Sequence, residues 1–411
     1  MKIIIHKGAE EIGGNCIEIS EGSTKILIDF GSPLSSNSKN ISIDPSDYDA
    51  VIISHPHLDH YGMLSKSLAE CRLFCSELTH LLINTTNLFS NKDILNDEVE
   101  FFRPNHSFQV NNLKITPFLV DHSSADSFAF LVESTHCRVF YTGDFRATGR
   151  KKILFNKMLN DPRLKNIDIM LIEGTAMNRR PSDFLSESNI ESFLYKLFSK
   201  QTSSSFLIAS SQNIDRIVTL YRACLKADKV LLIDFYTAWI LKLMQKVSIS
   251  VPYINWKNIA VIHNFGGRYY NIIKEHEDFF DGFLSEVFSN NHLRIEELRD
   301  QPSKYVFKVS SNHIAKVADL MNITDPILVY SQWEGYIKDD VTLKSLKNKY
   351  DMKYCHTSGH ALIEDIELFL NILQPAKAIP IHTETPHLFK KIYDKTVIYR
   401  DNEEILHEPN I

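Results

Sequence analysis

Short apolar runs punctuate the first 175 residues. Residues 25–30, 50–53, 114–120, 128–132, 138–141 and 167–172 are each brief, apolar and often β-branched, a pattern that predicts strands separated by turns and a few helices. From about residue 179 to 325 the texture changes. Helix-length amphipathic segments such as 188–200 and 213–227 alternate with strand-like runs such as 205–209 and 229–233, which predicts βαβ units and a second domain with parallel strands. After Pro326 the run 327–330 opens a tail whose loops are again rich in histidine. The chain shows no internal repeat.

Composition narrows the class. A chain of 411 residues that is 44% hydrophobic and 11% aromatic exceeds what one core usually organises, so two domains are expected. The six cysteines form no C-x-x-C pair and suit a reducing compartment. The N-terminal apolar run is too short for a signal peptide and no stretch of eighteen apolar residues follows, so no membrane span and a cytoplasmic location are expected. A net charge of −6 argues against a general polyanion-coating protein. Any nucleic-acid role must rest on a local groove or on metals that bring their own positive charge.

The segment Ser54-His55-Pro56-His57-Leu58-Asp59-His60 packs three imidazoles and a carboxylate into six residues after the run 50–53. On an extended strand end, alternation lets His55, His57 and Asp59 converge while His60 turns toward a neighbouring point, so one loop can serve two cations. Further donors stand singly where predicted strands end: His122 after 118–120, Asp144 after 139–143 and His382 after 378–381. Together these are seven N/O donors, the number required by two hydrolytic metals sharing a bridging carboxylate and a water. Imidazole and carboxylate without thiolate suit zinc first, with manganese as the competitor. Ten other histidines, His407 among them, have no ligand spacing.

These residues carry a resemblance. The H-x-H-x-D-H run with His122, Thr142-Gly143-Asp144 and His382 resembles the metallo-β-lactamase fold. Further motifs are similar to its β-CASP branch, which includes ribonuclease J and the pre-mRNA 3′-end nuclease: Gly8-Ala9-Glu10-Glu11-Ile12-Gly13-Gly14-Asn15, Asp121-His122-Ser123, Glu173-Gly174-Thr175, His356-Thr357-Ser358-Gly359-His360-Ala361 and Pro380-Ile381-His382-Thr383-Glu384. The resemblance implies an α/β protein: an αββα sandwich formed by residues 1–177 and 327–411 around an inserted α/β cap at 178–326. It also implies roles. His55, His57 and His122 would hold one divalent metal, Asp59, His60 and His382 the other, and Asp144 would bridge. Asp59, Glu173 and His360 would be the catalytic residues, with His360 as general acid and Glu173 orienting its imidazole. His356 and Ser358, with Ser210 and Ser211 at a strand-to-helix junction, would contact substrate phosphate.

The implied activity is a metal-dependent ribonuclease acting on single-stranded RNA. Two alternatives share the fold: a DNA nuclease of the Artemis type and a non-catalytic scaffold subunit of an RNA-processing complex, a role that goes with lost ligands. Two departures from the ribonuclease J pattern stand out. Glu173-Gly174-Thr175 replaces the usual D-S-T, and the chain stops soon after His382. The basic run 146–152 and the pair Arg179-Arg180 are candidates for the nucleic-acid path or for a solvated charged face. Trp333 and Tyr336 are candidates for base stacking or for packing.

Overall fold

The protein is described from a computed structural model, over residues 1–34, 38, 41–64, 71–95, 98–180, 184–263 and 267–407. It divides into two compact units, Met1–Asp183 with Ser358–Ile411, and Phe184–Thr357.

The first unit is built on two sheets. One places strands in the order Glu404–Leu406, Lys2–Lys7, Cys16–Glu21, Thr24–Ile28, Ala50–Ile52, Arg72–Cys75 and Val99–Phe101. The other runs Lys377–Ile381, Ile169–Glu173, Arg138–Tyr141, Ser127–Glu133, Leu113–Val120 and Phe108–Val110. Side chains alternate in period two, so every second residue of each strand faces the opposing sheet. Ile3 and Ile5, Ile17 and Ile19, Ile26 and Ile28, and Ala50 and Ile52 thus meet Leu113 and Ile115, Phe128 and Phe130, Val139 and Tyr141, and Ile169 and Leu171 in one buried core. The other faces are covered by helices. Leu27, Val51 and Leu73 pack with Ile83 of helix Glu77–Phe89. Phe140, Met170 and Ala378 pack with Phe155 of helix Ile153–Leu159 and with Phe369 and Leu370 of helix Ile363–Leu373. The layers are helix, sheet, sheet, helix, the sandwich implied by the sequence resemblance.

Chain direction places the chemistry at one edge of this sandwich. Thr24–Ile28 and Ala50–Ile52 are parallel, and so are Arg138–Tyr141, Ile169–Glu173 and Lys377–Ile381. Asp29, the loop 54–60, Asp144, Glu173 and His382 each stand at or just after the C-terminal end of one of these strands.

The second unit carries a seven-stranded sheet in the order His292–Arg294, Ile259–His263, Val230–Ile233, Tyr305–Lys308, Ser205–Ile208, Ile327–Tyr330 and Met352–Tyr354, parallel throughout. Ile327–Tyr330 pairs with Ser205–Ile208, and Met352–Tyr354 extends the sheet beyond it. The expected boundary at 326/327 is therefore corrected to 357/358. A short apolar run states that a strand is present, not which sheet it joins. Among the described residues, no helix is long and apolar enough to cross a membrane.

Candidate metal centre

The loop 54–60 does not continue as an extended strand. Strand Ala50–Ile52 ends early, and His57 is the N-cap of a one-turn helix, Leu58–Tyr61. Its carbonyl accepts from the His60 amide at 2.9 Å. Asp59 and His60 therefore leave the backbone on a helical turn, and Asp59 groups with His60 instead of with His55 and His57, which corrects the convergence expected from strand alternation. The turn is tied down by backbone bonds from Asn15 to Asp59 (2.9 Å), Phe30 to His60 (2.8 Å) and Ser32 to Leu58 (2.9 Å). Gly31 makes this approach possible, because a methyl group at its Cα would overlap the Asp59 carbonyl.

The donors form two linked groups. His55, His57 and His122 bring one ligand atom each to within 4.8 Å of one another, as do Asp59, His60 and His382, and the Asp144 carboxylate joins His55 and His60 in a third such set. His57 Nδ1 lies 3.1 Å from His55 Nε2 and 3.2 Å from His122 Nε2. Donors about 2.0–2.1 Å from a tetrahedral zinc ion stand about 3.3 Å apart, so three imidazole nitrogens crowded in this way fit the edges of such a polyhedron. Asp144 Oδ2 lies 3.3 Å from His60 Nε2 and 3.8 Å from both His55 Nε2 and His122 Nε2, while its Oδ1 lies 3.5 Å from His382 Nδ1. It reaches both groups. His60 Nε2 and Asp144 Oδ1 are buried and make no hydrogen bond, an arrangement that a cation relieves.

Protonation follows the same division. Burial pushes the His55 and His122 imidazoles well below their usual range and His57 down to about 4, with neighbouring imidazoles adding to the effect on His55, so this group is neutral with lone pairs exposed. At His60 burial acts the same way, but the carboxylates of Asp144, Asp29 and Asp59 outweigh it and raise the imidazole. Asp59 and Asp144 are buried, which alone would raise them. Facing imidazoles, His60 and His382, instead hold both well below the carboxylate range.

Partners behind the donors fix which nitrogen faces the site. The Asp29 carboxylate takes His60 Nδ1 at 2.7 Å and also accepts from the Ser54 amide (2.7 Å), the Ser54 hydroxyl (2.8 Å) and the Tyr141 hydroxyl (2.5 Å). The Gly359 carbonyl takes His122 Nδ1 at 2.6 Å, and the Thr175 hydroxyl meets His382 Nδ1 at 2.7 Å. His60, His122 and His382 then present Nε2 forward, whereas His57 presents Nδ1. Sequence reasoning missed Asp29, Thr175 and Tyr141. The one available signal was an acid, Asp29, inside the apolar run 25–30; the fold buries it fully and sets it in the left-handed conformation with φ of 61°.

Glu173 ends its strand at full burial, accepting from the amides of Phe145 (3.2 Å), Thr175 (3.0 Å) and Ala361 (3.3 Å), and its Oε1 lies 3.2 Å from His360 Nδ1. His360 Nδ1 also stands 3.7 Å from Asp144 Oδ2. Burial depresses the His360 imidazole, but Glu173 and Asp144 prevail and raise it.

Three sequence expectations change. Ser358 donates its hydroxyl proton to the His360 carbonyl (2.8 Å) and accepts from the His360 amide (3.0 Å), so its proton secures the His360 backbone. In the second unit Lys308 Nζ donates to Ser211 Oγ at 2.9 Å, Ser211 Oγ meets Thr237 Oγ1 at 2.8 Å, and Thr237 Oγ1 donates to Asp234 at 2.6 Å. With the Thr237 proton committed to Asp234, the Ser211 proton is committed to Thr237. Neither Ser211 nor Ser358 has a proton left for a phosphate, whereas Ser210 is exposed. Arg146, read with a basic run, is buried, with its Nε 3.1 Å from Asp121 and its Nη1 donating to the Ser358 carbonyl at 3.3 Å. It belongs neither to a solvated face nor to a substrate path. His407, without ligand spacing in sequence, comes within 4.8 Å of Cys137 and Asp168 donors.

Residues 24–192 match the beta-lactamase superfamily domain. The chain has the metallo-β-lactamase fold with an additional domain. The chain is 21% identical to ribonuclease J of Mycoplasma genitalium over 93% of its own length and 68% of that protein. It is 24% identical to an RNase J-like protein of Methanocaldococcus jannaschii over 62% of its length and 61% of the relative's. The chain thus spans about two-thirds of these curated relatives. A crystal structure of an Enterococcus faecalis protein of unknown function superposes with a TM-score of 0.75 at 18% identity, covering 98% of this chain and 99% of that one. The chain shares that fold over nearly its whole length, and its similarity to RNase J proteins accords with the resemblance of its motifs to the β-CASP branch.

Proposed function

We propose that this protein is a metal-dependent phosphodiesterase that cleaves single-stranded RNA, from the 5′ end, internally or both, in the cytoplasm. The observation that supports this most strongly is the convergence of seven N/O donors in two groups sharing Asp144, with the His360–Glu173 pair beside them. The names of the RNase J relatives supply the substrate class. In this reading His55, His57 and His122 hold one divalent ion, Asp59, His60 and His382 the other, and Asp144 both, with zinc first and manganese second by donor chemistry. When bound, such ions neutralise the scissile phosphate and lower the pKa of a shared water.

The remaining work falls to the chain. Glu173 accepts the Nδ1 proton of His360 and leaves Nε2 as the position from which a proton passes to the leaving oxygen. Asp59 Oδ2, 3.3 Å from His382 Nε2, would share the second ion with it, while Thr175 orients the His382 ring from behind. Arg179, whose charge opposes protonation of His360, is a candidate for a substrate phosphate, as are His356 and the exposed Ser210. All seven donor residues are present, which weighs against the scaffold alternative.

The test combines metal analysis with a paired substrate assay. Purified protein should carry two divalent ions per chain and cut end-labelled RNA, with activity lost to chelator, and Asp144→Ala should lower metal content and turnover together. No bound metal after loading with zinc or manganese sinks the catalytic reading. Cleavage of matched single-stranded DNA but not RNA favours the Artemis-type alternative.

A further inference from the structure

Of five large aromatic side chains exposed among the described residues (Phe101, Tyr195, Trp333, Tyr336 and Tyr354), the last three share one place in the second unit, each 46% exposed. Trp333 and Tyr336 follow strand Ile327–Tyr330, and Tyr354 ends the edge strand Met352–Tyr354. Tyr330 and Tyr354 are register partners on adjacent strands and stack at 6.3 Å between centroids. The buried Tyr330 joins both sides, donating its hydroxyl to the Trp333 carbonyl at 3.0 Å. Beyond Tyr354 the ring of His356 continues the row at 6.4 Å. The polypeptide reaches His360 four residues later.

The rings are held in place. The indole of Trp333 lies over the bare Cα of Gly335, where any side chain would collide with its six-membered ring, and Tyr336 meets it edge-on at 5.2 Å and 88°. A ring fixed before binding loses little entropy when a ligand stacks on it. The surrounding charge is mixed, with Glu334, Asp339 and Asp340 against Lys338 and Lys347. The attraction such a surface offers is to flat faces and not to phosphates.

We propose that Trp333, Tyr336 and Tyr354 form a stacking platform for the unpaired bases of the RNA substrate, leading along the chain to His356. This rests on the ribonuclease reading and names where that substrate is gripped. Stacking is sequence-tolerant and neutralises no phosphate, so the platform adds affinity without base preference and without salt dependence.

The experiment is fluorescence anisotropy of chelator-treated full-length protein with a labelled single-stranded oligoribonucleotide and its abasic counterpart across a salt series. Trp333→Ala and Tyr354→Ala should each weaken binding by about five- to one-hundredfold with an unchanged salt slope. Trp333→Phe should recover most of the loss. Gly335→Ala, which displaces the indole without removing it, should reproduce much of the Trp333→Ala effect. Abasic RNA should bind wild-type protein at least as weakly as normal RNA binds either single variant. RNA affinity in wild type that the alanine variants retain overturns the platform alone. RNA affinity absent from chelated wild type overturns the platform, and the ribonuclease reading then stands or falls on cleavage of end-labelled RNA by the metal-loaded protein. Variants that keep RNA affinity but lose self-association assign these rings to a protein contact and overturn the platform.

Discussion

Asp29 and His360 illustrate how single residues here act through their neighbours. Asp29 touches no substrate in the proposed chemistry, yet it takes His60 Nδ1, the Ser54 amide and hydroxyl, and the Tyr141 hydroxyl. Asp29→Asn keeps the shape but removes the charge that sustains the His60 orientation. Metal affinity should fall about 10- to 100-fold, read by competition with a chromophoric chelator, and unchanged affinity would show that His60 is oriented by packing alone. His360→Ala should behave in the opposite manner, retaining metal while cleavage falls roughly 10²- to 10⁴-fold. Loss of metal in that variant would move His360 from proton donor to ligand.

At the level of elements, the decisive piece is the contact between the turn after strand Thr24–Ile28 and the helical turn Leu58–Tyr61. Gly31 sits against the Asp59 carbonyl so closely that alanine cannot be accommodated without moving backbone. Gly31→Ala should displace Asp59 and His60 while leaving His55, at the strand end, near its place. The expected outcome is selective weakening of one of two metal-binding steps, by about tenfold or more, in a calorimetric titration. Equal weakening of both steps would show that the loop moves as one body.

For the whole molecule, burying so many imidazoles makes the metal-free protein sensitive to acid. His55, His57 and His122 have folded-state values below the unfolded one, His57 at about 4, so between pH 6.5 and 4 the unfolded chain binds protons that the folded one refuses. Stability must then fall as pH falls through this window. His60 and His360 are raised instead, are protonated in both states below 6.5, and contribute stability that is lost only as pH rises through their folded values. Thermal unfolding of chelated protein should therefore give a midpoint that drops on both sides of about pH 6.5. Zinc or manganese should raise the midpoint most above pH 6.5, where the imidazoles are free of protons. A metal-free midpoint that is flat from pH 4 to 6.5 would show that water reaches these rings.

The sequence by itself determined the strands, through period-two and β-branched runs. It also held the candidate donors, because six residues of loop carry four side chains of metal-binding type and the other three close apolar runs. Strand positions and donor types are local patterns, legible wherever short-range order dictates them, whereas the sandwich was expected from the family resemblance alone. Only the tertiary structure decided how the donors divide. A single helical turn sends Asp59 to His60 and His382, and no spacing rule distinguishes that turn from an extended strand. The same holds for Asp29, Thr175 and the Arg146–Asp121 pair, whose roles depend on partners that are distant in sequence. Strand Ile327–Tyr330 joined the second sheet because its neighbours there, Ser205–Ile208 and Met352–Tyr354, satisfy its backbone on both sides. The hydroxyls of Ser211 and Ser358 looked available in sequence, but a hydroxyl has one proton, and the fold had already committed both.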